Sequence, residues 1–372
     1  MKRIQNGAQP RVRKKSILWR TATPFLWPLM PLYTVGARLK NAAFDRGLAK
    51  PRCLSQPVVS VGNLSVGGTG KTPVVLLLAE LLQSRGWAVD VLSRGYGRTS
   101  KSVERVDPSG ASDRFGDEPL LMARRGLAVY VGADRYQAGQ LAEREQSART
   151  SRTGKSLHLL DDGFQHRKLA RAVDIVLVER SDLEDALLPA GRLRETLAAL
   201  QRADICVLQA QDADLTERVL SLMKQNDPAR IWIVDRRTVL PTGYASLSSV
   251  LAFCAIGDPE GFFSGLQKAG TTLADTIAYR DHHIYTRADM ERLKQRARSC
   301  GASHFVTTEK DNVRLTDASR SDLESELPLV VAGLAVTLQE EARAMALLES
   351  FLAQQLQTGL PQQLQTSRRG VR

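Results

Sequence analysis

The run Val58-Val59-Ser60-Val61-Gly62-Asn63-Leu64-Ser65-Val66-Gly67-Gly68-Thr69-Gly70-Lys71-Thr72-Pro73 leads straight into the apolar residues 74–82. A β-branched strand, a glycine-rich loop and a helix opening at Lys71-Thr72 are the parts of a phosphate-binding loop. The glycines let backbone N–H groups turn inward onto phosphate oxygens, and the helix N-terminus adds partial positive charge. Lys71 is placed to reach the β and γ phosphates, and the Thr72 hydroxyl to ligate Mg²⁺. Ser65 stands where the first glycine of such loops is usual. The expected nucleotide cradle is therefore Ser65, Val66, Gly67, Gly68, Thr69, Gly70, Lys71 and Thr72.

Outward from this loop, short apolar runs recur at 58–62, 88–93, 127–132, 157–161, 173–179, 205–209, 231–235, 251–257, 305–308 and 329–332, with helical stretches between them. Runs of four to seven apolar residues without strict alternation suit strands buried on both faces, as in a parallel sheet covered by helices. The chain is α/β. Ten strands are many for one sheet, and residues 236–249, with Pro241 and Gly243, read as a link between a larger and a smaller domain. The expected organisation is an arm at 1–52, a nucleotide-binding domain at 53–238, a smaller α/β domain at 239–352 and a polar, Gln-rich tail at 353–372.

The run at 157–161 ends in Asp161-Asp162-Gly163-Phe164-Gln165. Carboxylates at the carboxyl end of a buried strand share a sheet edge with the phosphate-binding loop, where open α/β sheets bind their ligands. Asp161 and Asp162 are thus expected at Mg²⁺. Asp174 and Glu179 bracket the next strand and read as solvated ends.

A net charge of +12 would ordinarily point to nucleic acid or a membrane surface. Residues 1–52 hold twelve Lys and Arg against one acid, Asp45, so nearly all of the excess lies in the arm. A nucleic-acid channel through the body has no electrostatic support, and aromatic residues at 5% leave few stacking platforms. Nucleic acid is not an expected partner. Within the arm, residues 21–37 are uncharged and carry Phe25, Trp27 and Tyr33. They fall short of the roughly 20 residues of a spanning helix and are broken by Pro24, Pro28 and Pro31. A basic, aromatic, apolar segment of this kind suits an interfacial anchor on an anionic leaflet. Cys53, Cys206, Cys254 and Cys300 match neither a disulfide framework nor a metal-ligand spacing and read as reduced thiols.

Taken alone, Asp117 reads as a helix cap before Pro119, and His282-His283 as a surface or capping feature. The motifs in order resemble a known family: the phosphate-binding loop, Ser93-Arg94-Gly95-Tyr96-Gly97, Gly116-Asp117-Glu118-Pro119, Asp161 to His166, Leu188-Pro189-Ala190-Gly191, Leu193-Arg194-Glu195, Asp281-His282-His283 and Thr308-Glu309-Lys310-Asp311. Together they resemble the tetraacyldisaccharide 4'-kinases of lipid A biosynthesis. The resemblance implies a P-loop NTPase-like three-layer domain, a second, smaller α/β domain across a short β-stranded hinge, and an N-terminal membrane-associated segment. It implies ATP and Mg²⁺ as cofactors, a lipid-linked glucosamine disaccharide as substrate, and a peripheral location at the cytoplasmic face of the bacterial inner membrane. Carried over by motif, Lys71 and Thr72 hold phosphates and Mg²⁺, Asp161 and Asp162 complete the metal shell, and Arg194 and Glu195 line the nucleotide and metal site. An acid and histidine pair falls on Asp117 and His282, with His283 open as the alternative by one residue. The competing reading is a membrane-associated P-loop GTPase or metallochaperone-type switch. Against it, Thr308-Glu309-Lys310-Asp311 departs in order from the guanine-reading Thr-Lys-x-Asp.

Overall fold

The computed structural model describes residues 36, 39, 41–67, 70–149, 155–244 and 247–358. Most of the expected anchor at 21–37, and Gly68 and Thr69 of the phosphate-binding loop, lie outside the described residues.

Twelve strands form one hydrogen-bonded sheet: β1 Val58–Asn63, β2 Ala88–Ser93, β3 Glu104–Arg105, β4 Ala128–Val131, β5 Ser156–Asp161, β6 Val173–Leu177, β7 Ile205–Gln209, β8 Ile231–Val239, β9 Val250–Cys254, β10 Leu273–Ala278, β11 His304–Thr308 and β12 Leu329–Leu338. Their spatial order is β10-β9-β11-β12-β8-β7-β6-β1-β5-β2-β4-β3. All neighbours are parallel except β3 with β4 and β8 with β12. Each of the ten apolar runs read from the sequence overlaps one of these strands.

The two halves of the sheet meet at β8 and β12. β8 pairs with β7 in parallel through residues 231–234, then continues antiparallel to β12 as far as Val239. β12 pairs in parallel with β11 through residues 329–332 before it turns to β8. Residues 236–239, expected to be part of a link, are therefore strand, and the hinge is a two-stranded ribbon.

Both faces of each half are covered. Val59, Val61, Val89 and Ile175 pack on one face against Val75, Leu78 and Leu82 of the helix Lys71–Ser84 and against Leu348 and Leu352 of the helix Glu341–Thr358. Phe164, Val176, Cys206 and Leu208 pack on the other. In the smaller half Leu251, Phe253 and Phe305 meet Met290 and Leu293 of the helix Arg287–Cys300, while Ala252 and Val306 meet Phe262 and Leu266 of the helix Pro259–Lys268. This is the three-layer arrangement that parallel strands, apolar on both sides, require. Helix Glu341–Thr358 carries the chain back onto the larger half and runs past residue 352, where a polar tail was expected to begin.

Candidate active site

β1, β5 and β2 are adjacent and parallel, with Val61 opposite Asp161 and Leu92 opposite Leu160, so their carboxyl ends deliver Asn63, Asp161 and Ser93 to one edge. Beyond β1 the chain turns through the phosphate-binding loop into the helix at Lys71. Gly70, which immediately precedes that helix, has φ +72°, and a Cβ there would meet the Arg236 guanidinium at 2.5 Å. The positive φ is what favours glycine here, since the Arg236 tip is the end of a flexible side chain.

Lys71 Nζ donates to Asn63 Oδ1 at 3.0 Å and lies 3.5 Å from Asp162 Oδ1. Arg194 approaches the same carboxylate, with Nη1 at 2.9 and 3.0 Å from the two oxygens, and also donates to Gln165 Oε1. Arg194 is held there by a backbone zipper: its N–H donates to Leu64 O at 2.7 Å, and Val66 N–H donates to Arg192 O at 2.8 Å. Asp162 has φ +50°, a conformation that a non-glycine residue keeps only where its surroundings enforce it. Burial pushes the Asp162 carboxyl up, but Lys71 and Arg194 outweigh it and hold the group below the usual carboxylate range. Asp161 goes the other way. Burial, then Glu118 and Asp162, push it well above that range, although Ser93 Oγ donates to Oδ2 at 3.0 Å. A carboxylate raised by neighbouring negative charge is a place where a cation is favoured.

Glu195 lies in the same segment but is engaged elsewhere: its Oε2 accepts from Asn41 Nδ2 at 2.7 Å and Arg202 Nη2 at 2.9 Å. Among the described residues no group of three or more His, Cys, Asp or Glu converges as a metal cage. Asp174, read as a solvated strand end, is fully buried and paired with Arg171 at 2.9 Å. It is structural, and the solvated reading is corrected.

The second cluster is assembled across the two halves. The helix Asp117–Arg124 faces the helix Glu309–Arg314, and Glu118 Oε1 accepts from Lys310 Nζ at 2.9 Å. Arg125, next to the first helix, pairs with Glu309. Asp117 lies in the first turn of its helix, behind an N-cap at Gly116, so it is not the cap that the sequence suggested. Its Oδ2 lies 3.0 Å from His282 Nδ1. Burial pushes the Asp117 carboxyl up, yet the His282 hydrogen bond and Arg314 bring it below its ordinary value. His282, at φ +61°, is a second strained residue; its side chain is 37% exposed, open to an acceptor. His283 is engaged differently: Nε2 lies 2.9 Å from Asp289 Oδ2 and the ring stacks on Tyr279 at 4.7 Å. Of the two neighbours, His282 is the one that the structure brings to Asp117.

Sequence reading missed Arg135, a buried arginine at the start of the helix Arg135–Arg149 after β4. Burial and then Arg94 lower it to about 10, with Asp162 and Asp161 pulling the other way, so its charge is felt by the carboxylate pair. Its only signal was a cation at the carboxyl end of a predicted strand. Arg314 was missed too, one helical turn after Asp311.

A cation-lined phosphate cradle, a carboxylate pair on the same edge and a histidine-carboxylate pair facing it define a nucleotide-dependent phosphotransferase built on a P-loop fold. A family model described as Tetraacyldisaccharide-1-P 4'-kinase matches residues 22–353. The chain belongs to that family. It is 46% identical over 296 residues to the tetraacyldisaccharide 4'-kinase of Koribacter versatilis, covering 77% of this chain and 88% of that one. It is 38% identical over 317 residues to the corresponding protein of Chlorobaculum parvum, covering 80% and 86%. The crystal structure of LpxK from Aquifex aeolicus in complex with ATP is similar at a TM-score of 0.69 and 31% identity, covering 90% of this chain and all of that one.

Proposed function

We infer that this chain transfers the γ-phosphoryl group of ATP to the 4'-hydroxyl of tetraacyldisaccharide 1-phosphate, giving lipid IVA. The observation that carries the reading is the pairing of His282 with Asp117, in a chain whose larger half supplies Lys71 beside Asp162.

A sugar hydroxyl is a weak acid, so its attack on a phosphoryl group gains from a nearby base, while most of the rate comes from positioning and charge neutralisation. Asp117, held ionised, orients His282 as the Nδ1–H tautomer, which leaves Nε2 to accept the hydroxyl proton. The imidazolium then formed is stabilised by the same carboxylate. Lys71 leans on Asn63 and Asp162 and is positioned to swing onto the phosphates, while Arg194 and Arg135 add positive charge at that edge.

The hard oxygen donors Thr72, Asp161 and Asp162 suit Mg²⁺, and the adjacent carboxylates at the end of β5, with Asp162 3.5 Å from Lys71, are the arrangement that fits a cation beside phosphate. When bound, Mg²⁺ supplies neutralisation of phosphate charge. Glu195, tied to Arg202 and Asn41, would join only if those contacts open.

The acceptor is a lipid, so the basic arm is read as holding the protein peripherally at the cytoplasmic face of the inner membrane. No described helix is long and apolar enough to cross a membrane. The switch reading needs Thr308–Asp311 to face a base, yet buried Asp311 accepts from Ala255 N–H, Tyr285 OH and Arg314.

The decisive assay incubates the purified chain with γ-labelled ATP and the disaccharide lipid precursor, followed by lipid extraction and chromatography. Label should appear in a lipid product with wild type and not with Lys71→Ala. Equal labelling by Lys71→Ala, or none by wild type, would overturn the reading.

A further inference from the structure

Arg314 ends the helix Glu309–Arg314 of the smaller half and touches both members of the pair. Its Nε donates to Asp117 Oδ2 at 2.7 Å, and Nη2 lies 3.3 Å from His282 Nδ1. The guanidinium is fixed from behind, since Nη1 donates to Ala255 O at 2.7 Å and to Asp311 Oδ1 at 3.2 Å. Ala255 O also accepts from the His282 N–H at 3.3 Å. The Arg314 side chain is 4% exposed.

Arginine offers donors only and keeps its proton at any ordinary pH. Asp117, accepting from Arg314 Nε, is ionised and calls for an N–H at His282 Nδ1. The approach of Nη2 to Nδ1 then sets two donors side by side, which is repulsive, and more so once the imidazole is charged. Two effects follow. The basic lone pair is confined to Nε2, and a fixed positive charge stands beside the ring. The other charged or titratable groups facing His282 are Asp117, Asp281 at 4.0 Å from Nε2, Glu118 at longer range and the Tyr96 ring at 5.8 Å. Three of these are carboxylates, and Arg314 is a cation that the fold sets directly against Nδ1.

We propose that Arg314 is a positioning residue of the phosphoryl-transfer site, reaching across from the smaller half to hold Asp117 and His282 in register and to set a fixed positive charge against His282 Nδ1. The proposal rests on the reading of His282 as the proton acceptor. It also gives the Thr308-Glu309-Lys310-Asp311 motif a task. Asp311 anchors Arg314 and the Ala255 N–H behind the pair, while Glu309 and Lys310 tie the same helix to Arg125 and Glu118.

The test is the pH profile of kcat with saturating ATP and lipid precursor for wild type, Arg314→Gln, Arg314→Lys and His282→Asn. Arg314→Gln should move the acidic limb up by about one pH unit, as expected for losing a close like charge, and lower the plateau about tenfold or more. Arg314→Lys keeps the charge but not the fork, so its limb should stay in place while the plateau falls. An unmoved limb in Arg314→Gln, or a wild-type plateau in Arg314→Lys, overturns the proposal. If Arg314→Gln melts at the assay temperature, the lysine variant decides. His282→Asn separates the two levels. A limb that it abolishes but that Arg314→Gln leaves unmoved sinks only the role of Arg314, whereas a limb and rate that survive His282→Asn sink the base itself and this proposal with it.

Discussion

His282 Nδ1 and Asp117 Oδ2 lie 3.0 Å apart, although 165 residues separate them and they belong to opposite halves of the sheet. The contact exists only because loops at the carboxyl ends of strands in both halves are turned toward each other, with β8 and β12 as the ribbon between them. A hydrogen-bonded pair assembled this way depends on how the halves are set.

If the two residues act as one unit, Asp117→Ala and His282→Ala should each lower kcat by about 10² to 10⁴, within the range of general acid–base assistance. The double variant should be hardly slower than the worse single one, because groups that act together are non-additive. His283→Ala loses the Asp289 contact and the Tyr279 stack, so it should cost some stability and little rate. Single-variant losses that multiply fully would show two independent residues.

The phosphate-binding loop was legible because it is contiguous: strand, glycines, Lys71-Thr72 and helix follow one another, and each is specified by local chemistry. The buried strands were legible for the same reason, as short, mainly apolar runs. Two strands were not. β3, Glu104–Arg105, is a two-residue polar edge, and β10, Leu273–Ala278, alternates half-buried with exposed residues and has Asp275 and Thr276 at its centre, which breaks the apolar run. Pairings between distant residues were legible only through the family resemblance. Nothing in Asp117 points to Arg314 in the other half, and even the short-range pair Arg171–Asp174 does not announce in sequence that it is buried.

Gly62 should not tolerate a side chain. A Cβ there would stand 2.6 Å from Phe164 Cβ and 2.8 Å from its backbone N, and Phe164 is fully buried. Gly62→Ala must push the 161–164 turn away from β1, at a cost of about 1–3 kcal/mol of the kind seen on overpacking a core. Because Asp161 and Asp162 ride on that turn, nucleotide affinity should fall together with Tm. A variant that loses Tm but binds nucleotide as wild type does would show that the turn moves independently of the carboxylates.

Asp204 should make stability fall with rising pH. Burial and the neighbouring Asp174 push its carboxyl up to about 7, against the Asp174 N–H hydrogen bond, Arg230 and Arg171. Because the folded-state value lies above the ordinary 3.8, the native protein binds more protons between those two values. Its contribution is most favourable below the lower value, declines as pH rises through the window and is lost above about 7. Asn at this position still offers an oxygen to the Asp174 N–H but carries no charge. Asp204→Asn should therefore raise stability more at pH 8 than at pH 5, by on the order of 1–2 kcal/mol, discounted because the group is half-buried and has arginines nearby. Thermal melts at the two pH values decide it. An equal change at both would mean that Asp204 does not titrate in this window.

The arm should separate into a part that binds membrane and a part that belongs to the active site. Seven of its twelve basic residues lie within 1–35, together with Phe25, Trp27 and Tyr33. Removing 1–35 should release most of the protein from anionic vesicles, since each basic residue near such a surface contributes about 1 kcal/mol, and binding of the full chain should weaken as salt rises. Residues 41–45 are different. They form a helical turn in which Asn41 donates to Glu195, and Arg167 binds both Asn41 O and Asp45. Turnover of a water-dispersed, short-chain acceptor should therefore survive loss of 1–35. Loss of 1–45 should leave Glu195 without its Asn41 donor and Arg167 without Asp45, and should lower that turnover as well as vesicle binding. If deleting 1–35 leaves vesicle binding intact at high salt, the anchor lies on the folded body. If deleting 1–45 leaves the short-chain rate unchanged, the Asn41–Glu195 contact does not support the site.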